Sequence, residues 1–126
     1  MSFDWKTYIK VANELINNQK IKALEEAYLR SAISRSYYGV FGVANSYLKN
    51  KGITIPAIDT HKSLRNEFKN STDKTMKKIG QDLDRLWRDR KDADYEGTIS
   101  INLNKAQLSY QMAVRILQNF KNLSVP

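Results

Sequence analysis

Cysteine is absent from the 126-residue sequence, and histidine occurs once, as His61. The lack of cysteine excludes a disulfide framework, a cysteine nucleophile and a thiolate zinc site. A single histidine also excludes a metal site built from several histidines of one chain, and we expect no metal and no other cofactor. No apolar run approaches the ~18 residues that span a bilayer, and the first residues lack a basic-then-apolar secretion signal. We therefore expect a soluble, cytoplasmic protein with no membrane contact.

Acidic residues are outnumbered by basic ones, with 13 Asp and Glu against 21 Lys and Arg, for a formal net charge of +8. Such an excess favours polyanionic partners: RNA, DNA, anionic lipid or an acidic protein. The basic residues are dispersed along the chain and form no block, so solubility alone is the alternative explanation. The charge permits a nucleic-acid partner without identifying one.

Proline and glycine, which interrupt helices, are scarce, with two and five copies. Apolar residues recur at helical spacing. The predicted helices cover about 3–17, 22–51, a short segment that begins after Asp59 or Thr60, 74–94 and 104–122. Gly52 is the predicted C-terminal cap of the second helix, and residues 70–73 contain the predicted N-cap of the fourth. We predict an all-α fold, a four-helix up-and-down bundle with an additional short helix, in a single domain over residues 1–126.

The second predicted helix has a broad apolar stripe that runs from Leu24 and Ala27 to Leu48. A stripe of this width indicates contact with several other helices. Gly39 and Gly42 within the same helix cost helix stability, and they suggest close approach of another helix, within the chain or across a dimer seam. The apolar residues of the last predicted helix are Leu108, Ala113, Val114, Leu117 and Phe120.

Charged residues close the fourth predicted helix. Arg90 and Asp94 continue, at helical spacing, the face that starts as core with Leu83 and Trp87. An Arg and an Asp four residues apart can pair on that face, which would hold the guanidinium in one orientation at the edge of the core. A fixed guanidinium is suited to bind a phosphate or to stabilise a phosphorane-like transition state, and Tyr95 adds a hydroxyl beside it. The alternative is an ordinary solvated ion-pair cluster at a helix end.

Two further segments contain candidate polar groups. Arg35 lies in the second helix among largely apolar neighbours, so it must be paired or border a polar cleft. The hydroxyls of Tyr37 and Tyr38 need partners in the same region. His61, at the start of the third helix, is a candidate general base or phosphate contact. A core helix with polar tips and a structural histidine are the alternatives.

Taken together, these segments resemble the HEPN family, nucleotide-binding domains shared by higher eukaryotes and prokaryotes. The resemblance covers about residues 25–113 and rests on three anchors in order. Residues 32–41 are similar to the family's serine-arginine-small-Tyr-Tyr-small-aliphatic-Phe signature. His61-Lys62-Ser63-Leu64, leading to Phe68, is the second anchor. Residues 90–95 are similar to the Arg-x-x-Ala-Asp-Tyr ending of one HEPN branch.

The resemblance implies a four-helix core that commonly dimerises and often pairs with a small nucleotidyltransferase as a toxin–antitoxin module. Ribonuclease members of the family carry Arg, four to six residues, then His, and cut RNA without metal at a composite site formed by two copies. The family's arginine corresponds to Arg90, with Arg88 as a second register. Tyr95 stands where the family's histidine usually lies, so the histidine has no counterpart at this position.

The resemblance therefore predicts an HEPN toxin-like component of a prokaryotic toxin–antitoxin module that acts on RNA as a homodimeric, metal-independent endoribonuclease. Arg90 would bind the scissile phosphate, Asp94 would orient Arg90, and Tyr95 would contact RNA or carry the proton. The predicted substrate-binding residues are Arg35, Tyr38, His61 and Arg88. The alternative is a non-catalytic module that binds a nucleotide or RNA, or that docks to a cognate nucleotidyltransferase antitoxin, which would modify Tyr95.

Overall fold

The computed structural model describes residues 3–18 and 21–123. Within these ranges the chain forms five α-helices and no β-strand, which confirms the all-helical prediction. The helices are α1 (Lys6–Asn17), α2 (Glu25–Asn50), α3 (Thr60–Lys69), α4 (Lys74–Tyr95) and α5 (Leu103–Leu123), and a short 3-10 helix over Lys22–Leu24 precedes α2. With 26, 22 and 21 residues, α2, α4 and α5 are the long helices, whereas α1 and α3 have 12 and 10.

Helix α2 lies at the centre, because it contacts all four other α-helices. Two buried glycines allow α1 and the residue before it to come close. A Cβ at Gly39 would lie 2.6 Å from Cδ1 of Ile9, and one at Gly42 would lie 2.2 Å from ring atoms of Trp5. The expected close approach at these glycines is therefore a contact within the chain, between α2 and the α1 region.

All three of these helix ends lie where the sequence signals predict them, and the expected cap forms in two of the three. Gly52 has φ 79°, and Ile53 donates a backbone hydrogen bond to the carbonyl of Leu48, which closes α2 with a Schellman motif. Asp73 caps α4, because its carboxylate accepts from the backbone N–H of Met76 at 2.9 Å. Asp59 occupies the N-cap position of α3 with φ 53°, but its side chain makes no capping hydrogen bond.

Of the five apolar residues noted in the last predicted helix, Ala113 and Phe120 are buried and Leu117 packs against the core. Leu108 and Val114 are exposed, at 52% and 43%. The buried side chains of α5 are those of Ala106, Ser109, Ala113, Ile116 and Phe120. Likewise Leu24 and Ala27, at the start of the predicted stripe of α2, are exposed. No helix in the described ranges is both long enough and apolar enough to cross a membrane.

Ion pairs between buried aspartates of α4 and more exposed basic residues of α5 join the two helices. The guanidinium of Arg115 donates two hydrogen bonds to the carboxylate of Asp82, at 2.8 and 2.9 Å. About two turns further along α4, Asp89 accepts from Nζ of Lys105 at 2.8 Å and from Oγ of Ser109 at 3.0 Å. These contacts lie on the side of α4 that faces α5, and other sides of α4 pack against α2 and α3.

Candidate functional site

The last two turns of α4 meet the middle of α2 in a group of polar side chains, which we call the Arg90 cluster: Ser34 and Tyr38 from α2, and Arg90, Asp94 and Tyr95 from α4. Arg90 Nε donates to Oδ2 of Asp94 at 2.9 Å, and Ser34 Oγ donates to the same oxygen at 3.2 Å. Arg90 Nη2 donates to the hydroxyl oxygens of Tyr38 and of Tyr95, the second at 3.2 Å. Tyr38 of α2 and Asp94 and Tyr95 of α4 thus hold one guanidinium, and Ser34 holds Asp94 in turn.

The guanidinium of Arg90 keeps free donors. An arginine side chain has five N–H groups, one on Nε and two on each Nη. The contacts with Asp94, Tyr38 and Tyr95 use Nε and Nη2. Nη1 makes no hydrogen bond to any described residue, and it is not among the buried polar atoms that lack a partner. The two N–H groups of Nη1 therefore have no acceptor among the described residues.

The aromatic rings of Tyr38 and Tyr95 hold the same guanidinium. Its Cζ lies 5.0 Å from the ring centroid of Tyr38 and 5.2 Å from that of Tyr95. The Arg90 side chain is only 12% exposed, whereas Tyr95 is 69% exposed. Cation–π contacts and a carboxylate partner restrict the side chain to one orientation. This environment differs from a solvated ion pair, and the outer wall of the cluster is the exposed tyrosine.

His61 adjoins the cluster through the tyrosine pair of α2. Its Nδ1 lies 2.6 Å from the hydroxyl oxygen of Tyr37, and its ring stacks on Phe41 at 4.2 Å between centroids. The ring of Tyr38, which receives the hydrogen bond from Arg90, lies 6.1 Å from the His61 ring, edge to face. The fold therefore places the only histidine of the chain one side chain away from Arg90.

Burial and charge set the protonation states of this pair. Burial raises the pKa of the Tyr37 hydroxyl far above its ordinary value, although the charges of Arg65 and Arg90 oppose the rise. Burial also lowers the pKa of His61, and the charges of Arg90 and Arg65 lower it further. At neutral pH Tyr37 keeps its proton and the imidazole of His61 is neutral. Since Nδ1 is engaged by Tyr37, Nε2 is the ring nitrogen left for another group.

Two of the predicted site residues lie elsewhere. Arg35 is one residue from Ser34, which turns it by about 100° around α2; its Cζ lies 4.8 Å from the ring of Tyr8 on α1. Arg88 is two residues from Arg90 and lines a small pocket between α3 and α4. The structure thus brings Arg90, Asp94, Tyr95 and Tyr38 together with His61 beside them, and it does not bring Arg35 or Arg88 into this cluster.

One arginine that sequence reasoning missed supports the cluster. Arg30 of α2 reaches the C-terminus of α4, where its guanidinium donates to the backbone carbonyls of Asp92, Ala93, Glu96 and Ile99. A cation at this end also interacts favourably with the helix dipole. Arg30, Ser34 and Tyr38 follow one another at four-residue spacing, so a polar stripe of α2 was the available signal. Arg30 fixes the turn that carries Asp94 and Tyr95.

In the described ranges, no group of three or more His, Cys, Asp or Glu side chains is arranged to hold a metal ion. Comparisons with models of protein families, with curated proteins and with solved structures found no match. The function is therefore argued from the geometry of the Arg90 cluster.

Proposed function

We propose that this protein is an HEPN-like toxin component of a toxin–antitoxin module, built on the family's four-helix core, and that Arg90 binds a phosphate of RNA. The single observation that supports this most is the arginine itself. Its guanidinium is held by Asp94, Tyr38 and Tyr95, yet both N–H groups of Nη1 have no acceptor among the described residues. A pre-oriented guanidinium with two free N–H groups is suited to a phosphate.

The proposed reaction is metal-independent cleavage of RNA. The 2′-hydroxyl oxygen attacks the adjacent phosphorus, the bond to the 5′-oxygen breaks, and the products are a 2′,3′-cyclic phosphate and a 5′-hydroxyl end. Arg90 would stabilise the charge that grows on the phosphate oxygens. One group must accept the proton of the 2′-hydroxyl and one must supply a proton to the leaving oxygen.

His61 is better suited than Tyr95 to accept the proton. A neutral phenol hydroxyl has little tendency to accept a proton, whereas burial and the charges of Arg90 and Arg65 lower the pKa of His61 and keep it neutral. In the tautomer that donates Nδ1–H to the Tyr37 hydroxyl oxygen, Nε2 of His61 is free to accept the proton. We assign Tyr95, with its exposed ring, to contact with the RNA chain. In a homodimer the clusters of two copies would form the composite site that the family resemblance implies.

The second candidate function is a non-catalytic module that binds a nucleotide or an RNA end, or that docks to a nucleotidyltransferase antitoxin. It is favoured by the hydroxyl of Tyr95, which accepts a hydrogen bond from Arg90 at 3.2 Å where ribonuclease members of the family would carry histidine. Tyr95 is also 69% exposed, and its hydroxyl would be open to nucleotide transfer. Mass spectrometry of the Tyr95 peptide, after incubation with the partner and ATP, tests this: an unmodified peptide contradicts transfer to Tyr95.

Cleavage of a labelled RNA pool in the presence of EDTA distinguishes the two candidates. The compared proteins are wild type, Arg90→Ala and Arg85→Ala, since Arg85 is an exposed arginine of α4 outside the cluster. We expect cleavage by wild type and Arg85→Ala, products with cyclic phosphate ends, little cleavage by Arg90→Ala, and none of DNA. RNA binding without cleavage would select the non-catalytic module. Folded wild type that neither binds nor cuts RNA would refute both RNA functions.

A further inference from the structure

A second group of basic side chains lies outside the Arg90 cluster, in a pocket between α3 and α4. The pocket has a volume of about 160 Å³, and Lys62, Arg65 and Lys69 of α3 face Trp87 and Arg88 of α4. Helices α3 and α4 pack closely at one end of this contact. A Cβ at Gly80 would lie 2.6 Å from the backbone nitrogen of Lys69, which only glycine avoids.

One acidic residue, Asp84, lines the same pocket, and its charge is already used. Arg65 Nε donates to Oδ1 of Asp84 at 2.7 Å, and Lys69 Nζ donates to Oδ2 at 2.8 Å. Burial would raise the pKa of Asp84, but the hydrogen bonds from Lys69 and Arg65 outweigh burial and hold the pKa below its ordinary value. Asp84 therefore stays ionised with both oxygens engaged, and no part of its charge is left for Lys62 or Arg88.

Two exposed basic side chains of the pocket have no counter-charge. Lys62 and Arg88 form no ion pair with a described residue, whereas Arg65 and Lys69 pair with Asp84. Arg65 is 7% exposed, its Nη1 is buried and so is not open to the pocket, and its guanidinium also interacts with the Tyr37 hydroxyl. Asn66 is the other polar residue of the lining. The pocket thus has a surplus of positive charge.

We propose that the pocket between α3 and α4 binds a phosphate group, with donors from Lys62 and Arg88 and with Arg65 and Lys69 adding positive charge at its wall. Its volume of about 160 Å³ accommodates the five heavy atoms of a phosphate. Two cations already lie over the ring of Trp87, Arg65 at 4.2 Å and Lys91 at 4.1 Å from its centroid. Because these cations cover the ring, an anion suits the pocket better than a base stacked on Trp87.

The source of the phosphate follows from the position of the pocket, and this step rests on the proposed function. Lys62 directly follows His61 in the chain, and His61 adjoins the Arg90 cluster through Tyr37 and Tyr38. The pocket and the Arg90 cluster therefore both lie near the same histidine. We assign the phosphate of the pocket to the RNA strand whose scissile phosphate binds Arg90, and free phosphate is the other source of the same chemistry.

Titration with inorganic phosphate tests the pocket without RNA. The indole N–H resonance of Trp87 is identified by NMR with the variant Trp5→Phe and followed in wild type, in Lys62→Ala/Arg88→Ala and in the charge-matched control Lys10→Ala/Lys49→Ala. We expect a saturable shift in wild type and in the control, and affinity reduced at least about tenfold in the pocket variant, since two charged donors are lost. No shift in wild type, or equal affinity in the pocket variant, overturns the site.

The variant Arg90→Ala separates this proposal from the proposed function. It should bind inorganic phosphate in the pocket as wild type does, whatever happens to RNA. In a second arm, binding of a 2′-O-methyl RNA is measured against salt concentration. Loss of one phosphate contact should reduce the slope of log K on log salt by about 0.7 in Lys62→Ala/Arg88→Ala. A pocket that binds phosphate with an unchanged RNA slope would overturn the assignment to the RNA strand.

Discussion

Replacing Arg30 with methionine removes the guanidinium that closes α4 and keeps most of the aliphatic stem. The Arg30 side chain is 18% exposed, and its two part-buried hydrogen bonds go to the carbonyls of Asp92 and Ala93, at 3.1 and 2.9 Å. Each such bond contributes about 1 kcal/mol net, and a cation at a helix C-terminus contributes about 0.3–1 kcal/mol. We therefore expect Arg30→Met to lower the free energy of unfolding by about 2–3 kcal/mol.

Urea unfolding followed by circular dichroism measures this change, with Glu26→Ala as the matched control. Glu26 pairs with Nε of Arg30 at 2.9 Å but is 47% exposed, and an exposed pair at this spacing contributes only about 0.3–0.5 kcal/mol. Hydrogen exchange should also become faster at the amides that end α4, because the last turn loses its cap. A loss below about 1 kcal/mol, or one equal to that of Glu26→Ala, would refute the role of Arg30.

Three further variants test the protonation of His61, the packing of α1 and the contact with Tyr38. The pKa of His61 in the folded protein lies below its ordinary value of 6.5, so the unfolded chain binds more protons just below that pH. The free energy of unfolding of wild type should therefore fall as the pH decreases through this window, and it should fall less in His61→Asn. An equal slope in both proteins would contradict the lowered pKa. Gly42→Ala should destabilise by about 1–3 kcal/mol, because a Cβ there meets Trp5 at 2.2 Å, whereas nothing lies within 4 Å at the control Gly97→Ala; equal midpoints would contradict the close packing. Tyr38→Phe should keep the fold and weaken RNA binding by a few-fold, roughly 1 kcal/mol, and unaltered binding would remove the tyrosine from the site.

The helices were predictable from the sequence because few residues interrupt them. Gly52 and Asp73 mark helix ends through local chemistry, a positive φ and a side-chain cap, which needs no knowledge of the rest of the fold. The inward faces were less predictable, because a face is set by its partner helices. Leu108 is apolar but exposed, whereas Ser109 is buried because its hydroxyl donates to Asp89 of α4.

The candidate site was also only partly predictable from the sequence. The pair of Arg90 and Asp94 follows from the helical repeat, since residues four apart share a face. The contact between Arg90 and Tyr38 joins residues 52 apart in the chain, and depends on the pairing of α2 with α4. Arg35 was predicted to lie in the site because the sequence of α2 alone does not show which of its residues face α4. Arg35 follows Ser34 by one residue, so its side chain points about 100° away around the helix and contacts Tyr8 near α1 instead.

Equilibrium binding of a 2′-O-methyl RNA, which cannot be cleaved by 2′-hydroxyl attack, tests most directly whether Nη1 of Arg90 binds RNA phosphate. Fluorescence anisotropy at fixed salt compares wild type, Arg90→Ala, Arg90→Lys and the control Arg85→Ala, with circular dichroism to confirm that each is folded. We predict affinity at least about tenfold weaker for Arg90→Ala, an intermediate value for Arg90→Lys because the fork geometry is lost, and near wild-type affinity for Arg85→Ala. Equal affinity of folded Arg90→Ala and wild type would contradict the assignment of this cluster to RNA.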